Sequence, residues 1–234
     1  MEIESFGEPE SQHRIGFFVH STETYPLSSL WLTVFLQTCC IFVVYSTMTT
    51  DIRDLAYKLR QGQLIALADE TGWSVVADPV NDSAVEKLLT LQAFIPAGLQ
   101  PTVLIHSADQ LGMYVAKLPE IAYDLVDFTE IPLTVIFEQG KNLSTVLWRS
   151  VETITGAAGQ PTGEVAVRRL LNPDLQRLIS SFGRGVLSIP LEALSLPPAA
   201  EALIAERMGS LPGMPKRSRI MRLAVNGEIN FIRK

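Results

Sequence analysis

The chain has 234 residues, 47% apolar and 19% charged, an ordinary globular composition that can sustain a sizeable core. Its two cysteines, Cys39 and Cys40, are adjacent, which excludes a disulfide framework and a cysteine-based metal site. A formal net charge of −6 argues mildly against a nucleic-acid protein, since nucleic-acid-binding domains usually carry a basic excess, and no recognition of DNA sequence is expected.

The first 47 residues differ from the rest. No charged residue occurs between Glu23 and Asp51, and Leu30 to Tyr45 is nearly all apolar, close to the length of a membrane span. A cleaved signal peptide fits poorly, because Glu2, Glu4, Glu8 and Glu10 stand where a positive n-region belongs. Three readings stand: an over-extended start ahead of Met48, a genuine membrane anchor, or an extra buried element. The expected organisation is therefore an extension over 1–47 and one domain over 48–234, with a membrane partner only if the 30–45 segment is an anchor.

From Met48 the elements follow in order. Ile52, Leu55, Ala56 and Leu59 share a helical face, Thr50 or Asp51 can cap it, and Gly62 marks its stop. Gln63 to Ala68 predicts a buried strand, followed by a loop. Ser83 with Glu86 forms a capping box for a helix ending near Ala93, and Thr102 to His106 predicts a strand. A second capping box, Ser107 with Gln110, opens a helix running to Leu118, and Pro119 opens another. Leu133 to Phe137, Leu143 to Trp148 and Val165 to Val167 predict strands. A helix is expected over Pro173 to Phe182, a strand over Val186 to Ile189, and a helix over Ala199 to Met208. Arg219 to Val225 and Glu228 to Ile232 flank Asn226-Gly227, a strong hairpin signal. Alternating elements of this kind predict an α/β (α+β) architecture, a twisted mixed parallel and antiparallel sheet flanked by helices.

Charge divides the chain by sign. Met48 to Trp148 carries 6 Lys and Arg against 13 Asp and Glu; Arg149 to Lys234 carries 12 against 7. Lys216, Arg217, Arg219 and Arg222 form a basic cluster that is either a solvated face or a patch for RNA phosphates. Other chemistry is sparse. His13, His20 and His106 lie far apart, and His106 is expected to be structural. No metal cluster, Walker loop, nucleophile elbow or dinucleotide fingerprint occurs. Asp69 and Glu70 are either paired carboxylates for acid-base work or, as adjacency in an acidic loop favours, a solvated pair, and Trp73 is either a stacking platform or a plug in a cleft. The absence of cysteine beyond Met48 fits a reducing, cytoplasmic setting.

Helix, Gly62, buried strand, loop and second helix resemble the YrdC/YciO (threonylcarbamoyl-AMP synthase) family. Members carry a reactive loop Pro-Thr-Asp-Thr-Val-Tyr-Gly-Leu, where this chain has Ala68-Asp69-Glu70-Thr71-Gly72-Trp73-Ser74-Val75. Pro132-Leu133-Thr134-Val135, Ala166-Val167-Arg168 and the closing Ile232-Arg233 also resemble family strands, so the likeness spans Asp51 to Lys234. By that resemblance Glu70, Thr71, Trp73, Thr134, Arg168, Ser188 and Ser218 are the candidate substrate- and nucleotide-binding residues. Lys216, Arg217, Arg219 and Arg222 are the candidate RNA-binding residues, and no catalytic residue is assigned. Departures are as informative. The family's Lys-x-Arg falls on Gln92 and Phe94. Its Ser-Ala-Asn falls near Ser188 to Glu192, where only Ser188 corresponds. Its Pro-Ser-Thr-Ile falls on Arg217 to Ile220, where Ser218 and Ile220 remain.

The resemblance implies joining of threonine, bicarbonate and ATP, with Mg²⁺, to threonylcarbamoyl-adenylate for tRNA modification. Three functions are expected to compete: a diverged protein binding nucleotide or double-stranded RNA with weak or no synthesis, an active synthase with relocated basic groups, or a non-enzymatic partner-binding domain.

Overall fold

The computed structural model describes residues 52–92, 94, 100–148, 163–191, 196 and 198–234, all within the compact unit Ser46–Lys234. The expectations for Leu30 to Tyr45, Cys39, Cys40, His13 and His20 lie outside the described residues. Among the described residues, no helix is long and apolar enough to cross a membrane.

Chain order begins with helix α1 (52–60), then strands β1 (Leu64–Asp69) and β2 (Gly72–Ala77) and helix α2 (Asp82–Gln92). Strand β3 (Thr102–Ile105), helices α3 (Leu111–Tyr114) and α4 (Ile121–Asp127) and strand β4 (Leu133–Phe137) follow. A helical turn α5 (145–148) precedes β5 (Val165–Arg169), α6 (Pro173–Phe182) and β6 (Val186–Leu191). The chain closes with α7 (Pro198–Glu201), β7 (Ile204–Met208), β8 (Arg219–Leu223) and β9 (Ile229–Arg233). The described strands form one sheet in the order β7-β1-β2-β6-β3-β5-β4-β8-β9. Pairs β1–β7, β3–β5 and β4–β8 are parallel and the other five antiparallel, as the mixed-sheet expectation required.

Strand alternation sorts the core onto two faces. On the first, Val75, Ala77, Val103, Val135, Val167, Leu187 and Ile189 pack with α2, α3 and α4. On the second, Ile65, Leu67, Val76, Leu104 and Val186 pack against Leu55, Ala56 and Leu59 of α1 and Leu175, Leu178, Ile179 and Phe182 of α6. Arg60 joins these two helices, donating to the Ser181 carbonyl at 2.6 Å. Helix α6 spans the expected residues and is closed at both ends. Asn172 Oδ1 accepts from the Asp174 amide at 2.9 Å, Pro173 occupies the first turn, and Gly183 ends the helix at φ 89°.

Several elements differ from expectation. The expected loop after β1 is a tight hairpin: Asp69 pairs with Gly72, and 72–77 is strand. Asn81, rather than Ser83, caps α2, its Oδ1 accepting from the Ala84 amide at 3.1 Å. Ser107 makes no side-chain cap, and Gln110 Oε1 instead accepts from the His106 amide. The helix expected to reach Leu118 stops at Tyr114, because Val115 turns extended and bridges Gly140. Leu143 to Trp148 is not a strand; Ser144 Oγ accepts from the Val146 amide and starts a helical turn. Ala199 to Met208 splits into the short α7 and strand β7, which the free edge of β1 recruits. The hairpin at Asn226-Gly227 forms with a longer turn, Gly227 sitting at φ 87°.

Gly185 shows how tightly β6 enters the core. A Cβ there would lie 2.7 Å from the Leu104 carbonyl oxygen and 3.0 Å from the Tyr114 ring, whose hydroxyl donates to the Gly185 carbonyl at 3.2 Å. Burial pushes the Tyr114 hydroxyl pKa up to about 12, so this donor stays protonated at every ordinary pH. Gly185→Ala is expected to lower stability by about 1–3 kcal/mol in urea unfolding, the usual cost of overpacking a fixed backbone site.

Candidate functional site

Strand β1 is apolar from Leu64 to Ala68 and then places a carboxylate, Asp69, on the same face as Ile65 and Leu67. On β5, Val165 and Val167 face the first core, so Arg168 faces the second. The two meet: Arg168 Nη2 donates to Asp69 Oδ2 at 2.6 Å, and Nη1 to Glu70 Oε1 at 3.1 Å. Side-chain exposure is 7% for Arg168, 0% for Asp69 and 15% for Glu70, so the first two are sealed and Glu70 borders solvent. Asp69 Oδ1 also accepts from the Thr71 amide at 2.7 Å and the Thr71 hydroxyl at 2.6 Å. Burial raises the pKa of the Glu70 carboxyl; the Arg168 charge opposes that shift and the neighbouring Asp69 adds to it. Glu70 Oε2 is buried without a hydrogen-bond partner among the described residues.

This contact depends on sheet curvature. From β1 to β5 the order crosses β2, β6 and β3, four inter-strand steps that in a flat sheet would separate them by about 19 Å at ~4.8 Å each. Twist of ~20–25° per step accumulates to roughly 80–100° over the same span, which brings distant strand ends together on one face.

The polar set continues beside Arg168. Thr134 lies opposite it on β4, and its hydroxyl donates to Ser218 Oγ at 3.2 Å. Arg233 Nη2 donates to the same oxygen at 3.1 Å and its Nε to the Ser218 carbonyl at 2.9 Å. Ser188, 2% exposed, lies opposite Thr102, two residues along β3 from Leu104, the register partner of Arg168. Glu70, Thr71, Thr134, Arg168 and Ser218 are thus brought together, with Ser188 two strands from Arg168. Trp73 is not among them. It packs on the first core with the Arg207 guanidinium 5.5 Å from its ring centroid, a plug on the opposite face.

Asp69 escapes a reading of the sequence because adjacent acids after a strand suggest a solvated turn. The structure corrects that expectation for Asp69, whose position in the buried alternation of Ile65 and Leu67 is the available signal. Ser74 escapes as well: 2% exposed and on the same face, its Oγ is buried without a partner among the described residues. His106 donates its backbone amide to Gln110, while its Nδ1 is buried without a hydrogen-bond partner among the described residues. The basic cluster divides. Lys216, Arg217 and Arg219 are exposed, with no ion pair among the described residues, and Arg219 lines an apolar groove beside α4 with Phe128 and Phe231. Arg222 points to the other face of β8 and pairs with Glu164 at 2.9 Å. At the family's Lys-x-Arg position, the last turn of α2 holds no basic residue, Gln92 is half-buried and Phe94 is 54% exposed.

Fold and site together define a curled, mixed α/β sheet with a charged polar face beside its first hairpin. The Sua5/YciO/YrdC family model, which carries the description "Telomere recombination", matches residues 57–206, and the chain belongs to this family. The threonylcarbamoyl-AMP synthase of Photobacterium profundum is 30% identical over 152 residues, covering 63% of this chain and 75% of that one. That of Halorhodospira halophila is 28% identical over 174 residues, covering 68% and 85%. Among solved structures, E. coli YciO aligns with TM-score 0.60 at 18% identity over 78% of this chain and 88% of its own. P. abyssi Sua5 complexed with L-threonine aligns at TM-score 0.59 and 23% identity over 74% of this chain but only 50% of its own.

Removing Arg168 would leave Asp69 buried and uncompensated. Arg168→Met is therefore expected to cost about 3–5 kcal/mol in urea unfolding, the usual penalty for breaking one side of a buried pair. A loss below about 1 kcal/mol would mean that the pair is not the buried, closed contact described here.

Proposed function

We propose that this chain is a diverged YrdC-like protein that makes little or no threonylcarbamoyl-adenylate. One observation carries the reading: Arg168, the buried cation of the polar face, is already shared between Asp69 and Glu70. Adenylyl transfer is mainly positioning and charge neutralisation, so cations must face the phosphates. Here the two positions that resemble the family's basic pair are Gln92 and Phe94. Nor does the acidic pair suit Mg²⁺, since both oxygens of Asp69 are engaged and one of Glu70 is on Arg168. The residues present thus do not fit ATP with its metal.

A second reading, binding of tRNA or another double-stranded RNA in the cytoplasm, is favoured by one observation. Lys216, Arg217 and Arg219 expose three cations within four residues of an otherwise acidic protein, with no ion pair among the described residues. Phosphate contacts of this kind supply weak, sequence-independent affinity. The third, a partner-binding domain, predicts neither activity.

Purified protein supplied with threonine, bicarbonate, ATP and Mg²⁺ is expected to release no threonine-dependent pyrophosphate above background. Turnover within about tenfold of the ordinary enzyme median of ~10 s⁻¹ would overturn the proposal in favour of an active synthase. For RNA, filter binding at two salt concentrations is expected to give a dissociation constant in the ~10⁻⁴–10⁻⁶ M range at physiological salt. Neutralising Lys216, Arg217 and Arg219 together should flatten the salt dependence, by roughly one unit of slope for each phosphate no longer neutralised. Arg222→Gln should change it less, because Arg222 is paired with Glu164. No affinity at low salt, or affinity untouched by the triple variant, rules out the RNA reading.

A further inference from the structure

We infer that Glu70 is a displaceable internal anion seated on Arg168, and that an incoming oxyanion, a carboxylate, sulfate or phosphate, reaches this guanidinium by expelling it. The inference rests on the reading of Arg168 as a cation neutralised from within.

The two carboxylates on Arg168 are not equivalent. Asp69 is held by the Thr71 amide, the Thr71 hydroxyl and Arg168 Nη2, all at 2.6–2.7 Å, and has no exposed side-chain surface. Glu70 touches Arg168 through one oxygen at 3.1 Å, the longer contact, and is the most exposed of the three side chains. Its other oxygen is buried with no hydrogen-bond partner of ordinary geometry among the described residues, although the Glu70 and Leu171 amides lie near enough to favour the ionised carboxylate. The weak member therefore stands between Arg168 and solvent.

Expulsion needs no backbone change. The Thr71 amide is tied to Asp69, and the Glu70 carbonyl accepts from the Lys216 amide at 2.9 Å. With the turn fixed at both points, Glu70 leaves by side-chain rotation alone, and Arg168 Nη1 becomes free while Nη2 stays on Asp69. An oxyanion taking that place inherits one charge-assisted bond and can keep its remaining oxygens in water, which Glu70 Oε2 does not.

Protonation of Glu70 has the same effect as its departure, because a neutral carboxyl competes poorly for a guanidinium. The charged and polar groups facing it are Asp69 on β1, Arg168 on β5, its own amide and the Leu171 amide beyond β5. Burial sets the direction: the carboxyl protonates at a higher pH than an ordinary glutamate. Anion affinity should therefore rise as pH falls through that elevated value.

The test is a sodium sulfate titration of the full chain against sodium chloride at matched ionic strength, read on the assigned Arg168 Nε–Hε resonance. Sulfate keeps one charge state across the range used. Glu70→Gln is expected to bind sulfate about tenfold or more tightly than wild type at pH 8, equivalent to losing one charge-assisted competitor. Wild type should approach the variant as pH is lowered, while the variant stays nearly flat. Glu70→Ala, which also removes the competitor, should behave like Glu70→Gln if either variant's folding is in doubt. Equal affinities at pH 8, a pH dependence as steep in the variants as in wild type, or no sulfate binding in any of them would overturn the inference. Because the readout is binding, this result is independent of whether wild type releases pyrophosphate.

Discussion

The contact between Asp69 and Arg168 sets the terms for the rest of the polar face. Two strands four steps apart in sheet order meet there through side chains almost wholly withdrawn from water, which requires a strongly curled sheet. A buried pair of this kind is weak as a net source of stability, because desolvation offsets most of the attraction. Its value is selective: a sheet that failed to curl would strand both charges in the interior unpaired. The helices on the two faces are consistent with that curl, α1 and α6 packing against β1, β2, β3 and β6 while Arg168, Thr134 and Ser218 extend beyond them.

The same pair sets the charge balance of the polar face. On the polar face Asp69 and Glu70 share the buried Arg168, while Arg233 is bound to Ser218. Further cations lie on the segment leading into β8, where Lys216 and Arg217 are exposed. A fold by itself does not carry an activity.

How much could be read in advance depended on how local the cause was. Helix α6 was legible over Pro173 to Phe182, and the structure shows that its causes are local, Asn172, Pro173 and Gly183 acting within one turn of its ends. Strands β1, β3 and β4 were legible because each is a short apolar run whose burial is nearly complete. Ala199 to Met208 was not, because its helical spacing was overridden at Ile204 by pairing with β1. Leu143 to Trp148 failed for a similar reason: an apolar run of six suits strand or helix, and Ser144, bonded to Asp82 at 2.5 Å, decided for helix.

Of the site, local sequence order pointed to Glu70, Thr71, Thr134, Arg168 and Ser218, because the family's short motifs survive in sequence around each. It could not show that Trp73 turns away, since a register of one residue decides the face of a strand and only the pairing of Trp73 with Ala68 settles it. Nor could it show that Asp69 is buried, because its partner lies 99 residues away and is reached only through the curl of the sheet. Composition, periodicity and motif order determined the class of fold, a property of neighbouring residues. Which charges meet, and therefore whether Arg168 is open or already occupied, was decided by tertiary structure alone, because sheet curvature is a sum over many strands that no single segment encodes.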